Sequence, residues 1–288
     1  MRCDRTRLDG GIVGGGLVLA VALVAAVAAP ALAPYDPAAS SGAPLLPPGS
    51  AHLLGTNDIG QDVLSQWLWG ARASLLVAAL VTTLSTGLAW AVGLAAGLWR
   101  WAEGPLLALT DLLLALPSIP LYLLLVALVG ASQGHIVAIL GSLSWPTFAR
   151  VVRAQVLVVR GASHVEAARA LGASPLRVAR VHVLPATLAL APAKVALTVR
   201  FALFAEASLG FLGLGDPAAR SWGTMLGSAL DYPLIFSRGV WLWWLAPPAV
   251  AIGLVVLATT WLATGLESPG VAPRRGWPTK PPQPLDDV

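Results

Sequence analysis

Six stretches of this chain are apolar for long enough to cross a bilayer, which takes roughly 20 residues of helix. They are residues 12–33, 73–98, 106–129, 135–159, 186–212 and 240–266. Within each, apolar residues run continuously and do not alternate, so the spanning unit is a helix and not a barrel strand. Only 11% of the 288 residues are charged, against about 25% in a soluble domain. The fold class is therefore all-α integral membrane, with six transmembrane helices.

The segments between the spans set the domain organisation. The first apolar run follows Arg2, Arg5 and Arg7 and ends at Ala31-Leu32-Ala33, an A-x-A site. A cleaved signal peptide is one reading; the length of the run favours a retained first span. Residues 34–70 are rich in Pro, Gly and Ser and form an external loop. Its end carries Val63, Leu64, Trp67 and Leu68 at helical spacing, which predicts an interfacial helix leading into span two, with Trp67 and Trp69 at the lipid–water boundary. Pro117 and Pro120 are expected to kink span three, Ser132-Gln133-Gly134 to make a tight outer turn, and span four to pass Trp145-Pro146. Residues 213–239 read as an outer loop, and Trp241, Trp243 and Trp244 as an aromatic belt opening span six. This divides the chain into an N-terminal unit (1–72), a five-span core (73–266) and a Pro-rich tail (267–288) expected to be disordered.

Charge gives the orientation. Arg2, Arg5, Arg7, Arg100, Arg150, Arg153, Arg160, Arg169, Arg177, Arg180, Arg274, Arg275 and Lys280 fall on one side of this topology. Arg72, Arg220 and Arg238 fall on the other. Basic residues collect in cytoplasmic loops, so both termini and the connection between spans four and five are expected inside.

That connection, residues 163–185, carries its own folding signals. Ser163 followed by Glu166 reads as a capping box. Ala167, Ala168, Ala170 and Leu171 favour helix, and Gly172 stands where a left-handed C-terminal cap belongs. Ser174-Pro175 starts a second helix, which Leu184-Pro185 closes. The result is a short basic helix pair presented to the cytoplasm.

The residues that could carry chemistry are sparse. The single Cys3 excludes an intrachain disulfide. His52, His135, His164 and His182 show no metal-ligand spacing, and there is neither a Walker A sequence nor a G-x-S-x-G elbow. Asp111, Lys194, Arg200 and Glu206 are the ionisable residues placed within spans. Such charges are costly and often functional. Asp111 and Lys194 lie close enough to an inner end to snorkel, whereas Arg200 is near mid-span and is expected to face protein or a water-filled path. Arg200 and Glu206, six residues apart, do not share a helix face. Asp111, Arg200 and Glu206 thus either line a pathway or pair between helices. A lipid-acting membrane enzyme would need clustered His, Asp or Glu at one depth, which is lacking; an ion-coupled transporter working alone would have to rely on Asp111, Arg200 or Glu206.

Glu166-Ala167-Ala168, Gly172 and Val183-Leu184-Pro185, set between two spans on the arginine-rich side, resemble the cytoplasmic signature of the permease subunits of bacterial ABC importers. The stretches LGTNDIGQDVLSQWLWGARASL, ALPSIPL beside Asp111, WPTFARVVRAQVL, and EASLGFLGLG followed by SWGTML are similar to the dipeptide/oligopeptide/nickel branch, and to its second, C-type subunit. The chain departs from the usual pattern at Asn57 and Gln61, and around Thr260, Ala263-Thr264 and Ala272-Pro273-Arg274.

The resemblance implies a type I permease fold in the bacterial inner membrane, with a coupling loop (160–185) seated on an ATPase through Glu166, Ala167, Ala168, Leu171, Gly172 and Pro185. It implies a homologous permease partner, two cytoplasmic ATPase subunits that bind ATP and Mg, and an extracytoplasmic binding protein. No nucleic-acid partner and no cofactor in this chain are expected. The implied cargo is a di- or oligopeptide, or alternatively nickel or a metal chelate.

Overall fold

A computed structural model describes residues 3–237 and 239–266. Four helical stretches in it are long and apolar enough to cross a membrane singly: Gly11–Leu32, Val63–Leu98, Gln133–Arg160 and Val240–Thr264. Two more crossings are bent pairs. Arg100–Ala115 and Ser118–Val129 meet at 87°, and Pro175–Leu188 meets Ala191–Phe211 at 53°. The first break falls at Leu116-Pro117, as the prolines of span three predict, because a proline disfavours helical backbone at the residue before it.

The helices are α1 (Cys3–Leu32), α2 (Val63–Leu98), α3 (Arg100–Ala115), α4 (Ser118–Val129), α5 (Gln133–Leu143) and α6 (Pro146–Arg160), followed by α7 (Ser163–Ala170), α8 (Pro175–Val178), α9 (Leu184–Leu188), α10 (Ala191–Phe211), α11 (Trp222–Asp231) and α12 (Ala246–Leu266). The bundle is organised on α2, against which α1, α5, α6 and α10 all pack. With lipid as apolar as the side chains, helices associate by close fit, which favours small residues at the contact. A Cβ added to Gly97 of α2 would lie 2.6 Å from Val156 of α6, and one added to Gly15 of α1 would lie 2.7 Å from the Ala258 carbonyl of α12. Within the glycine run at 14–16 it is Gly15 that makes the close approach, whereas a Cβ on Gly16 would meet nothing within 4 Å. Burial falls into two clusters. The cluster at the N-terminal end of α2, on the side expected to be outer, includes Val81, Ile136, Leu203, Trp222 and Trp244; the cluster at its C-terminal end, on the side expected to be inner, includes Trp90, Trp145, Val152, Val156, Val165 and Val183.

Several expectations for the outer side are corrected. There is no separate interfacial helix: α2 runs unbroken from Val63, through the expected boundary at 72, to Leu98. Trp67 anchors to protein instead of lipid. Its Nε1 donates to the Pro247 carbonyl at 3.1 Å, and its own carbonyl accepts from Trp222 Nε1 at 3.1 Å. The external loop closes in a buried polar knot. Asp62 caps α2 by accepting from the Ser65 backbone N–H and Oγ at 2.7 Å each, and its other oxygen lies 2.9 Å from His52 Nδ1. Gln61, a departure from the usual family residue, sits in the same knot, its Nε2 donating to the Ala38 carbonyl at 2.8 Å.

The segment 213–239 is not only loop. It contains α11, started by a Ser221–Thr224 capping box and laid backbone to backbone on α10. A Cβ on Gly223 would fall 2.6 Å from Ala207 Cα. The aromatic belt is also divided: Trp241 is exposed, Trp243 donates to the Thr56 carbonyl at 3.4 Å, and Trp244 is buried in the outer cluster. The tail expected to be disordered lies outside the described residues.

Candidate functional site

The connection between α6 and α10 folds back on the end of the bundle formed by the C-terminal turns of α2 and α6. Val165, Val178 and Val183 are buried there against Val152, Val156 and Val159. The rest of the segment hangs on these three anchors. α7 begins one residue earlier than the capping-box reading requires. Ala162 is the cap, in extended backbone, and its carbonyl accepts from Val165 and Glu166. Ser163 is already helical and caps nothing. The reason is packing: Ala162 and Val165 both join the inner cluster, and that fixes where the helix starts.

The end of α7 agrees with the glycine reading. Gly172 has φ +85°; its N–H donates to the Arg169 carbonyl at 2.9 Å, and the Ala173 N–H donates to the Ala168 carbonyl at 3.0 Å. This is the paired pattern of a Schellman cap. Ser174 then caps α8, its Oγ accepting from the Arg177 N–H at 3.3 Å.

Pro185 does not close the second helix. The chain stays helical through it to Leu188 by widening into a π turn at Ala179–Val183. A proline supplies no N–H and crowds the carbonyl four residues back; the wider turn relieves both. Glu166, Ala167 and Pro185 are exposed, and Ala168 is half-buried. Leu171, at the tip, is 90% exposed.

The intramembrane charges separate. Asp111 of α3 pairs with Arg150 of α6, both side chains at least half exposed, and Glu103 pairs with Arg153 one helical turn away. Arg160 donates to the Gly97 carbonyl. Three of the arginines counted in the charge asymmetry therefore tie α6 to α2 and α3. Glu206 is buried and accepts from Ser74 Oγ at 3.1 Å. Arg200 is exposed on the surface of this chain, on the α10 face that also exposes Leu197 and Phe204, and among the described residues no carboxylate lies within 4.0 Å of it. Of the three candidates, Asp111 and Glu206 join helices and Arg200 faces outward.

Lys194 does not snorkel. It is 4% exposed, with Nζ donating to Ser85 Oγ at 3.0 Å. Sequence reading misses this because a helix apolar on all sides does not announce which face meets its neighbours.

The family described as binding-protein-dependent transport system inner membrane component matches residues 87–268. Among curated proteins, the di/tripeptide transport system permease protein DppC of Pseudomonas aeruginosa (strain UCBPP-PA14) is 38% identical over 268 residues, covering 89% of this chain and 86% of the relative. The dipeptide transport system permease protein DppC of Escherichia coli (strain K12) is 38% identical over 265 residues, covering 89% and 87%.

Proposed function

The chain belongs to the binding-protein-dependent transport system inner membrane components, and on that premise we propose that it moves small peptides and receives its drive at the segment between α6 and α10. The names of its relatives favour peptides over a nickel chelate. The observation that carries the second half is Leu171. An apolar side chain left 90% exposed at the tip of a capped, rigidly anchored turn is a surface for a partner to cover.

In this reading Ala167, Ala168 and Leu171 enter a cleft of a cytoplasmic ATPase subunit. Glu166 sits in the first turn of α7, where its charge suits the helix dipole. Gly172 makes the turn, and Pro185 sets the π turn that passes motion into α10. A homologous permease completes the pathway, two ATPase subunits bind ATP and Mg, and an extracytoplasmic binding protein delivers the peptide. The arginine asymmetry supports both termini in the cytoplasm. The chain is then a transporting subunit and not itself an enzyme. Closure of the ATPases on ATP draws the two docking segments together and opens the pathway outward; hydrolysis resets it.

The test is Gly172→Asp in the assembled transporter. Membrane level should stay normal, while uptake and the stimulation of ATP hydrolysis by loaded binding protein are lost. Normal ATP-dependent uptake in that variant would falsify the docking assignment. Peptide uptake that persists without the ATPase subunits would point instead to a transporter working alone.

A further inference from the structure

A cavity of about 320 Å³ lies where span three is broken, opposite the α5–α6 junction at Ser144-Trp145. The first turn of α4 lines it with Ser118 and Leu121, the first turn of α6 with Thr147 and Phe148, and α10 with Lys194 and Thr198. The buried Lys194 ammonium donates to Ser85 Oγ at 3.0 Å and to the Ser144 carbonyl at 3.5 Å, and stands 5.3 Å from the centre of the Phe148 ring. Among the described residues no carboxylate lies within 4.0 Å of it. Ser144 Oγ, on the same wall, is buried and unbonded; so is Trp90 Nε1, whose ring lies 5.4 Å from that of Phe148. The first turns of α4 and α6 and the last turns of α3 and α5 all border the cavity, so helix ends of both signs meet there and the Lys194 ammonium is the one full charge among the lining residues.

The ammonium and the unbonded hydroxyl beside it lack the same thing, a negative charge with lone pairs to spare. A water could satisfy the hydroxyl but would not balance the ammonium. Broken helices at membrane depth are tolerated where they line a cavity, as α3 and α4 do here. Leu116 and Leu197, both exposed on this chain, also line the cavity and offer an apolar rim to an organic group. We propose that the cavity holds the C-terminal carboxylate of a peptide in transit, with Lys194 as its counter-charge and Ser144 Oγ as a second donor. This rests on the peptide cargo proposed above.

Lys194 and Lys280 are the only lysines in the chain, which makes a residue-specific test practical. The complete transporter in vesicles is exposed to a small amine-methylating reagent, and modification of each lysine is followed by mass spectrometry. A free dipeptide should slow modification of Lys194 and leave Lys280 unaffected, whereas the same dipeptide as its C-terminal amide should not. Equal protection by acid and amide, or protection that follows the anionic lipid content of the vesicles, overturns the proposal.

In uptake assays Lys194→Met keeps the side-chain volume and removes a buried charge. It should lower dipeptide transport roughly ten- to hundredfold, the worth of one charge-assisted hydrogen bond. Stimulation of ATP hydrolysis by loaded binding protein should persist. Ser144→Asp, which neutralises Lys194 from within, should do the same. Wild-type transport in both variants overturns the carboxylate site. Loss of the ATPase response in Gly172→Asp bears only on docking, whereas a wild-type transporter that moves no peptide overturns the cargo reading and this proposal with it.

Discussion

Ser74 on α2 donates its hydroxyl proton to Glu206 on α10 across 3.1 Å, and the same oxygen accepts the Trp222 N–H at 3.2 Å. One side chain therefore ties three helices together at the outer end of the bundle and gives a buried carboxylate a partner. Removing it takes a hydrogen-bond partner from the buried Trp222 amide and from the Glu206 carboxylate at once.

Ser74→Ala should cost about 1–3 kcal/mol, the penalty for stranding buried polar groups, while Ser74→Thr should cost less. The thermal midpoint of the purified transporter in detergent reads this, and an unchanged midpoint for Ser74→Ala would contradict the arrangement.

At the crossing of α2 and α6, Gly97→Ala should destabilise by about 1–3 kcal/mol, because the new methyl meets the branched side chain of Val156 and overpacks the contact. Adding Val156→Ala should return part of the loss, a coupling that a double-mutant cycle measures. Gly87→Ala is the control: a Cβ there meets nothing within 4 Å, and the midpoint should hold or rise, since alanine is the better helix former.

Gly172 lies in open space in this chain, so a small neutral substituent there strains the backbone without a clash inside the chain. Alanine in that left-handed conformation costs about 1–2 kcal/mol, and asparagine tolerates it better. The ATPase response to loaded binding protein should therefore fall in the order glycine, asparagine, alanine. Leu171→Asp, which leaves the turn intact, should abolish the response while membrane levels hold.

Asp62→Ala removes the acceptor for Ser65 N–H, Ser65 Oγ and the His52 ring together. Losing the cap alone costs about 1 kcal/mol. Limited proteolysis from the outer side should cut residues 34–62 faster in the variant than in the parent. An equal rate would show that the polar knot does not hold the loop.

What the sequence made readable follows from local physics. Span positions come from the length of apolar runs, the break in span three from Pro117, and the Gly172 and Ser174 caps from chemistry that acts within a few residues. What escaped reading depends on neighbours that are distant in sequence. Gly223 and Gly227 look like loop residues beside Pro217, yet both lie against α10 backbone, and the S-x-x-T cap of α11 lacks the Glu or Gln of the usual signature. Ser163 is a better cap than Ala162 by propensity, but burial of Ala162 and Val165 overrides it. The depth of Lys194 and the outward face of Arg200 follow from which side of α10 meets α2 and α12. Propensity does not encode that.

The unbroken length of α2 has a consequence of its own. Its 36 residues make a rod of ~54 Å, well beyond the ~30 Å of hydrocarbon that it crosses. Its first turn holds the outer polar knot, and Gly97, one residue from its other end, seats α6 and with it the segment that bears Leu171. The spacing between what happens outside and what happens inside is thus built into a single piece of secondary structure. A thicker or thinner membrane can tilt that rod, but cannot change the distance it sets.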